Sequence, residues 1–169
     1  MLVKDQRITT MSDRLSIGER APDFTLPANH GVTVALNAYR GHRVVVYFYP
    51  KDDTSGCTKQ AIGFSQLLPE FIKLGVHVIG ISKDPITKHN KFIEKHDLKI
   101  TLASDVEGTV IEDYGVWVEK NMYGRKYFGI ERATYLINSS GIIVKIWRKV
   151  RVAGHVEAVL NECQLMSSS

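Results

Sequence analysis

Two thiols stand far apart in this chain of 169 residues, Cys57 and Cys163. Cys57 follows a polar loop, Lys51-Asp52-Asp53-Thr54-Ser55-Gly56, and opens a helical stripe. A cysteine in the first turn of a helix sees free backbone N–H groups and the positive end of the helix dipole. Both favour the thiolate, which is the nucleophilic form. Position alone leaves a second reading open, a small apolar residue covering the helix start.

The preceding loop adds to the chemical reading. Thr54, three residues upstream, can bring a hydroxyl beside the sulfur. Gly56 lets the backbone, with the Cys57 N–H, approach a bound oxygen closely. Pro50 ends the strand before the loop and can shield one side of the thiolate. Cys163 reads differently: Val156, Val159, Leu160 and Cys163 share one helical face, which makes it a core residue. No CxxC pair occurs, so a zinc ribbon and a dithiol redox motif are both excluded. None of the six histidines stands in a recognisable pairing with a cysteine, which weakens a cysteine hydrolase. His89 and His96 lie seven apart on one helix, but without further ligands they read as solvated residues, not a metal site.

Cys57 needs a strand before it and a helix behind it. Val44-Val45-Val46-Tyr47-Phe48-Tyr49 is a continuous apolar run ending at Pro50, the pattern of a strand buried on both faces. Cys57, Ala61, Phe64, Leu68 and Phe71 fall on one face of a helix, which Pro69 should kink or split and Gly75 should end. Val76 to Ser82 is a second buried strand, completing a βαβ unit of right-handed crossover. Sites in open α/β sheets lie beyond the carboxyl ends of such strands, where Cys57 falls. Upstream, Phe24–Leu26 and Gly31–Ala35 read as an N-terminal β-hairpin. Downstream, the pattern predicts a helix over Pro85–Asp97, a strand over Lys99–Ala103 and a short helix over Gly108–Tyr114. A long loop through Gly129 is expected next. Arg132–Asn138 and Ile142–Trp147 form a second hairpin, and the last helix covers Gly154–Leu165. The fold class is α/β, a central mixed sheet flanked by helices, and the thioredoxin-like fold fits this order.

The totals fit one domain, with 44% hydrophobic residues and a net charge of +4. No apolar run is long enough to span a membrane, and residues 1–16 lack the apolar middle of a secretory signal. Those residues are expected to be a flexible extension, with Met11 an alternative start, and residues 17–166 the folded domain. The protein is therefore expected in the cytoplasm. The basic segment Lys145–Arg151 reads as a strand end with a solvated face, not a nucleic-acid stripe.

The segment Tyr47-Phe48-Tyr49-Pro50-Lys51-Asp52-Asp53-Thr54-Ser55-Gly56-Cys57-Thr58 resembles the active-site segment of peroxiredoxins, specifically the Q-type or bacterioferritin comigratory protein branch. The resemblance extends through Ala21-Pro22-Asp23-Phe24, Leu67-Leu68-Pro69-Glu70-Phe71, Glu119 to Gly124 and Gly129 to Leu136. It implies a thioredoxin-like fold and a thiol-dependent peroxidase that reduces hydrogen peroxide and organic hydroperoxides without metal or organic cofactor. Cys57 would be the peroxidatic cysteine, Thr54 a hydrogen-bond partner of peroxide and thiolate, and Pro50 a cover over the site. Arg132 would reach the sulfur; without the resemblance it reads as a solvated charge at a strand end.

The chain departs from the branch in two ways. Ser55 stands where proline is common. More consequentially, Ile62 and Ile93 occupy the positions that often carry a resolving cysteine. The expectation is a one-cysteine cycle completed by an external thiol: thioredoxin, glutaredoxin or glutathione. A redox switch, in which oxidised Cys57 signals to a partner, is the alternative. The branch resemblance also implies a monomer.

Overall fold

The run Val44–Tyr49 is the spine of the structure, a computed structural model that describes residues 14–166. The Met11 start and most of the expected extension lie outside those residues. β1 (Thr25–Pro27) and β2 (Thr33–Ala35) pair as an antiparallel hairpin. There follow β3 (Arg43–Phe48), α1 (Ser55–Lys73), β4 (Val76–Ser82), α2 (Ile86–His96), β5 (Thr101–Ser104) and α3 (Thr109–Asp113). The chain continues with β6 (Trp117–Met122), β7 (Arg125–Ile130), β8 (Ala133–Ile137), β9 (Ile143–Trp147) and α4 (His155–Leu165).

The main sheet has the order β5-β4-β3-β8-β9. β3 runs parallel to β4, from Arg43 opposite Val76 to Phe48 opposite Ile81, and β4 runs parallel to β5. On its other side β3 pairs antiparallel with β8, which pairs antiparallel with β9. This is the mixed sheet of a thioredoxin-like fold.

Every residue of β3 is buried, and alternation divides them between two cores. Val44, Val46 and Phe48 pack with Phe24, Leu26 and Val34 of the N-terminal hairpin, and with Tyr114 and Tyr135. Val45, Tyr47 and Tyr49 share the opposite core with Phe64 and Phe71 of α1, Phe92 of α2, and Val159 and Cys163 of α4. Each such side chain contributes about 1.5–3 kcal/mol by leaving water. Tyr47 stacks on Phe64 with centroids 4.6 Å apart, and β4 makes room for it with glycine. A Cβ at Gly80 would lie 2.7 Å from Tyr47 Cζ, closer than packing tolerates.

Two expectations are corrected. α1 is one helix from Ser55 to Lys73 with Pro69 inside it, not two segments. Proline there removes a single intrahelical donor. Phe64 and Phe71, both fully buried, anchor the helix on either side of it. It ends as expected at Gly75, whose φ is 74°.

The stretch after α3 is not a long loop but a hairpin, β6–β7, registered from Trp117 opposite Ile130 to Met122 opposite Arg125. Tyr123 and Gly124 form its two-residue turn with φ of 53° and 80°, the left-handed pair that matches strand twist. Most of its residues are at least partly exposed, so no apolar alternation announces it. Among the described residues, no helix is long and apolar enough to cross a membrane.

Candidate active site

β3 delivers the chain to the upper edge of the sheet, where Tyr49 N donates to Ile81 O at 3.2 Å. Pro50, half-buried, has no N–H with which to extend the ladder. The loop then turns through Asp53, whose φ of 60° is left-handed and is a conformation that aspartate tolerates. Thr54 is extended and is the N-cap residue of α1; Thr58 N donates to Thr54 O at 2.8 Å. The N–H groups of Ser55, Gly56 and Cys57 precede the first intrahelical bond and have no acceptor within the helix. Cys57 sits in that turn with 2% of its surface exposed.

Arg132 reaches the sulfur. It lies between β7 and β8, held by Val150 N donating to Arg132 O at 3.0 Å. Its Nη2 is 3.3 Å from Cys57 Sγ, while Nη1 donates to Gln60 Oε1 at 2.6 Å. The adjacent Glu131 does not neutralise it, because that carboxylate is taken up by Arg14 at 2.8 and 3.1 Å. The guanidinium thus keeps its charge beside the thiol, its other arm held by the neutral Gln60 amide.

Gly56 lines the same space: a Cβ there would stand 3.2 Å from Arg132 Nη2. Lys120, on the hairpin that was not foreseen, is also within electrostatic reach of Cys57 and Arg132. Burial, then the Arg132 guanidinium, pull its ammonium below the ordinary lysine range. Beneath the site, His155 Nε2 lies 2.8 Å from Thr134 Oγ1. Burial, followed by the Arg132 charge, holds His155 down to about 4, so it is neutral at pH 7.

Of the expected site residues, Cys57, Arg132 and Gly56 are brought together. The Thr54 hydroxyl donates instead to Lys51 O at 2.9 Å, stabilising the loop. Pro50 stands half-buried at the strand end, next to the loop that leads to Cys57. Two buried polar residues near the site escaped the pattern. Gln60 is fully buried, and its signal was a polar residue on the apolar face of α1. His89, expected to be solvated, is also fully buried and bonded through both ring nitrogens, to Asp52 and to the Ala103 carbonyl. His96 is separate from it and bonds Asp53 at 3.0 Å. Cys163 is buried in the α4 core, and burial pushes its thiol up to about 11.

A thioredoxin-like sheet presenting one buried thiol to an arginine defines a class, the thiol-dependent peroxidases. Residues 17–146 match the AhpC/TSA family. A putative peroxiredoxin bcp of Coxiella burnetii is 49% identical over 146 residues, spanning 86% of this chain and 97% of that protein. Peroxiredoxin Bcp of Bacillus subtilis is 44% identical over 153 residues, 90% of this chain and 98% of its own. Among solved structures, Xanthomonas campestris bacterioferritin comigratory protein superposes with a TM-score of 0.81 at 41% identity, covering 85% of this chain and 92% of its own. Xylella fastidiosa PrxQ gives 0.87 at 34% identity, with 91% and 98% covered. The chain belongs to the AhpC/TSA family, in its Bcp or peroxiredoxin Q branch. It is a peroxiredoxin, an antioxidant oxidoreductase that reduces peroxide at the expense of a thiol.

Proposed function

We propose that Cys57 is the peroxidatic residue of a one-cysteine cycle that reduces hydrogen peroxide and organic hydroperoxides. The observation that carries this reading is the Arg132 guanidinium 3.3 Å from Cys57 Sγ, at a helix N-terminus. The thiolate attacks the terminal peroxide oxygen in line; the S–O bond forms as the O–O bond breaks. The leaving alkoxide or hydroxide takes a proton and departs as alcohol or water, and Cys57 becomes a sulfenic acid. Charge on the breaking O–O bond is stabilised by Arg132 and the free N–H of Cys57, as in an oxyanion hole. Thr54 Oγ1, whose proton goes to Lys51 O, keeps lone pairs that can accept from the peroxide O–H, and Pro50 covers the site. The Xanthomonas relative is described as reducing alkyl peroxides, which supports organic substrates here.

The sulfenic acid is then reduced by an external thiol, which forms a mixed disulfide and releases water. A second thiol frees Cys57. Thioredoxin, glutaredoxin and glutathione are the candidate donors, and the working unit is a cytoplasmic monomer. Support comes from the arrangement of the two cysteines. The Cys163 carbonyl accepts from Arg43 Nη1, at the start of β3, whereas Cys57 follows the opposite end. A six-residue strand spans roughly 17 Å, against the ~7 Å within which two Cα atoms can be bridged. Ile62 and Ile93 supply no thiol.

Mass spectrometry of wild type, Cys57→Ser and Cys163→Ser after one equivalent of peroxide tests the cycle. The expected products are a sulfenic acid on Cys57 in wild type and in Cys163→Ser, and none in Cys57→Ser. A Cys57–Cys163 disulfide would overturn the one-cysteine cycle. Normal peroxide turnover by Cys57→Ser would overturn the assignment of the nucleophile. A single turnover with every donor would favour the redox switch.

A further inference from the structure

Several tethers to the loop that sets up Cys57 come from α2 and the connection that leads into it. Asp52 N donates to Asp84 Oδ2 at 2.8 Å, in the connection from β4 to α2. Asp53 pairs with Lys95 at 2.7 Å and with His96 at 3.0 Å, both on α2. The innermost tether is His89 of α2, whose Nδ1 lies 2.6 Å from Asp52 Oδ2, with both side chains buried.

The protons of this pair follow from its other partners. His89 Nε2 is 3.0 Å from the Ala103 carbonyl, which can only accept, so Nε2 carries a proton. Asp52 Oδ1 accepts from the Tyr49 hydroxyl at 2.6 Å. Burial, then the Asp52 charge, push the Tyr49 phenol well above its ordinary range, so it remains a donor. With Nε2 protonated, the 2.6 Å contact between Nδ1 and Asp52 Oδ2 holds a single proton. The Tyr49 hydroxyl, by donating to the other oxygen of Asp52, favours the charged carboxylate and so the proton on Nδ1. Asp84, next to the pair, accepts from Ser82 Oγ at 2.7 Å and faces Lys88 at 3.9 Å, so its charge is already met.

We propose that His89 is held as a doubly protonated imidazolium against the Asp52 carboxylate, and that this buried ion pair is a positioning element for the Cys57 loop. A buried ion pair is a poor way to gain stability, since apolar residues of similar volume commonly do as well or better. It is a good way to fix a register, because a displaced partner leaves a bare charge in the interior. Asp52 is two residues before the N-cap of α1 and five before the nucleophile. The distance between Cys57 Sγ and Arg132 Nη2 therefore depends on where Asp52 is held. A misplacement of an ångström in such a geometry costs up to about 100-fold in rate.

The role in positioning rests on Cys57 being the nucleophile; the protonation state does not. Nitrogen-15 NMR of wild type at pH 7, with His89→Gln to assign the signals, should show a proton on both His89 ring nitrogens. Stoichiometric oxidation of Cys57 by hydrogen peroxide should slow about 10-fold or more in His89→Gln and in Asp52→Asn. The double variant should be no slower than the slower single one, because both remove the same contact. A ring with one proton in wild type overturns the ion pair, and this reading does not depend on any variant folding. Wild-type oxidation rates in both single variants, or additive losses in the double, overturn the positioning role. If Cys57→Ser keeps normal turnover, the positioning role falls with the nucleophile, while the ring protons still report on the ion pair.

Discussion

Arg132 divides its guanidinium between two partners, Cys57 Sγ at 3.3 Å from Nη2 and Gln60 Oε1 at 2.6 Å from Nη1. The second partner is a neutral amide three residues beyond Cys57 on the same helix. An amide oxygen orients one arm of the fork without cancelling its charge. The other arm keeps its full electrostatic effect on the sulfur and on an oxygen bound to it. Because Gln60 and Cys57 share α1, the same helix that presents the thiol also aims the cation at it.

Replacing Arg132 by lysine should therefore fail even though the charge is kept. A single ammonium cannot serve both partners in the planar geometry of the fork. Losing one aligned donor of this kind costs about 100-fold or more in rate. Gln60→Met, similar in volume but with no amide oxygen for the guanidinium, should cost roughly 10-fold, about the worth of one charge-assisted hydrogen bond. Competition kinetics against a reference peroxidase would measure both. A wild-type rate in Arg132→Lys would show that Nη2 is a bystander.

Gly56→Ala should slow the reaction while leaving the fold intact. The added methyl would stand 3.2 Å from Arg132 Nη2 and 3.7 Å from Val152 Cγ2. Arg132 must give way by a few tenths of an ångström, which shifts the arm that contacts Cys57. Alanine is otherwise the better helix residue, so the melting temperature should hold or rise. The peroxide rate should fall several-fold, as a small misplacement of reacting groups predicts. A variant that is as fast as wild type would place the catalytic position of Arg132 elsewhere.

The parts of this structure that could be read in the sequence are those with a one-dimensional signature. β3 announces itself through an unbroken buried run, and the α1 stripe through its period. Cys57 falls between them at a predictable place. Arg132 has no such signature: its partner is 75 residues away, and only the family resemblance assigned it to the sulfur. His89 and Asp52, 37 residues apart, were opaque for the same reason, and their polarity argued for solvent. The β6–β7 hairpin was missed because a ribbon exposed on both sides has no apolar period. Gln60 alone offered a local clue, since a fully buried polar residue within an apolar stripe needs a partner.

The neutral His155 makes stability depend on pH in a defined direction. Its ordinary value of 6.5 is lowered to about 4 in the folded protein, by burial and then by Arg132. Below pH 6.5 the unfolded chain takes up a proton that the folded one refuses, so stability falls as the solution is acidified. The contribution is fully present above the unfolded value and is lost progressively down to about pH 4, where the folded protein also accepts the proton. At about 1.4 kcal/mol per pKa unit, the whole effect is on the order of 3 kcal/mol. His155→Gln keeps a polar partner for Thr134 and removes the titration. Urea unfolding of wild type and variant across this range should show wild type losing stability faster on acidification. Parallel curves would mean that His155 takes up its proton equally readily in the folded and unfolded chains, so that burial does not exclude its charge.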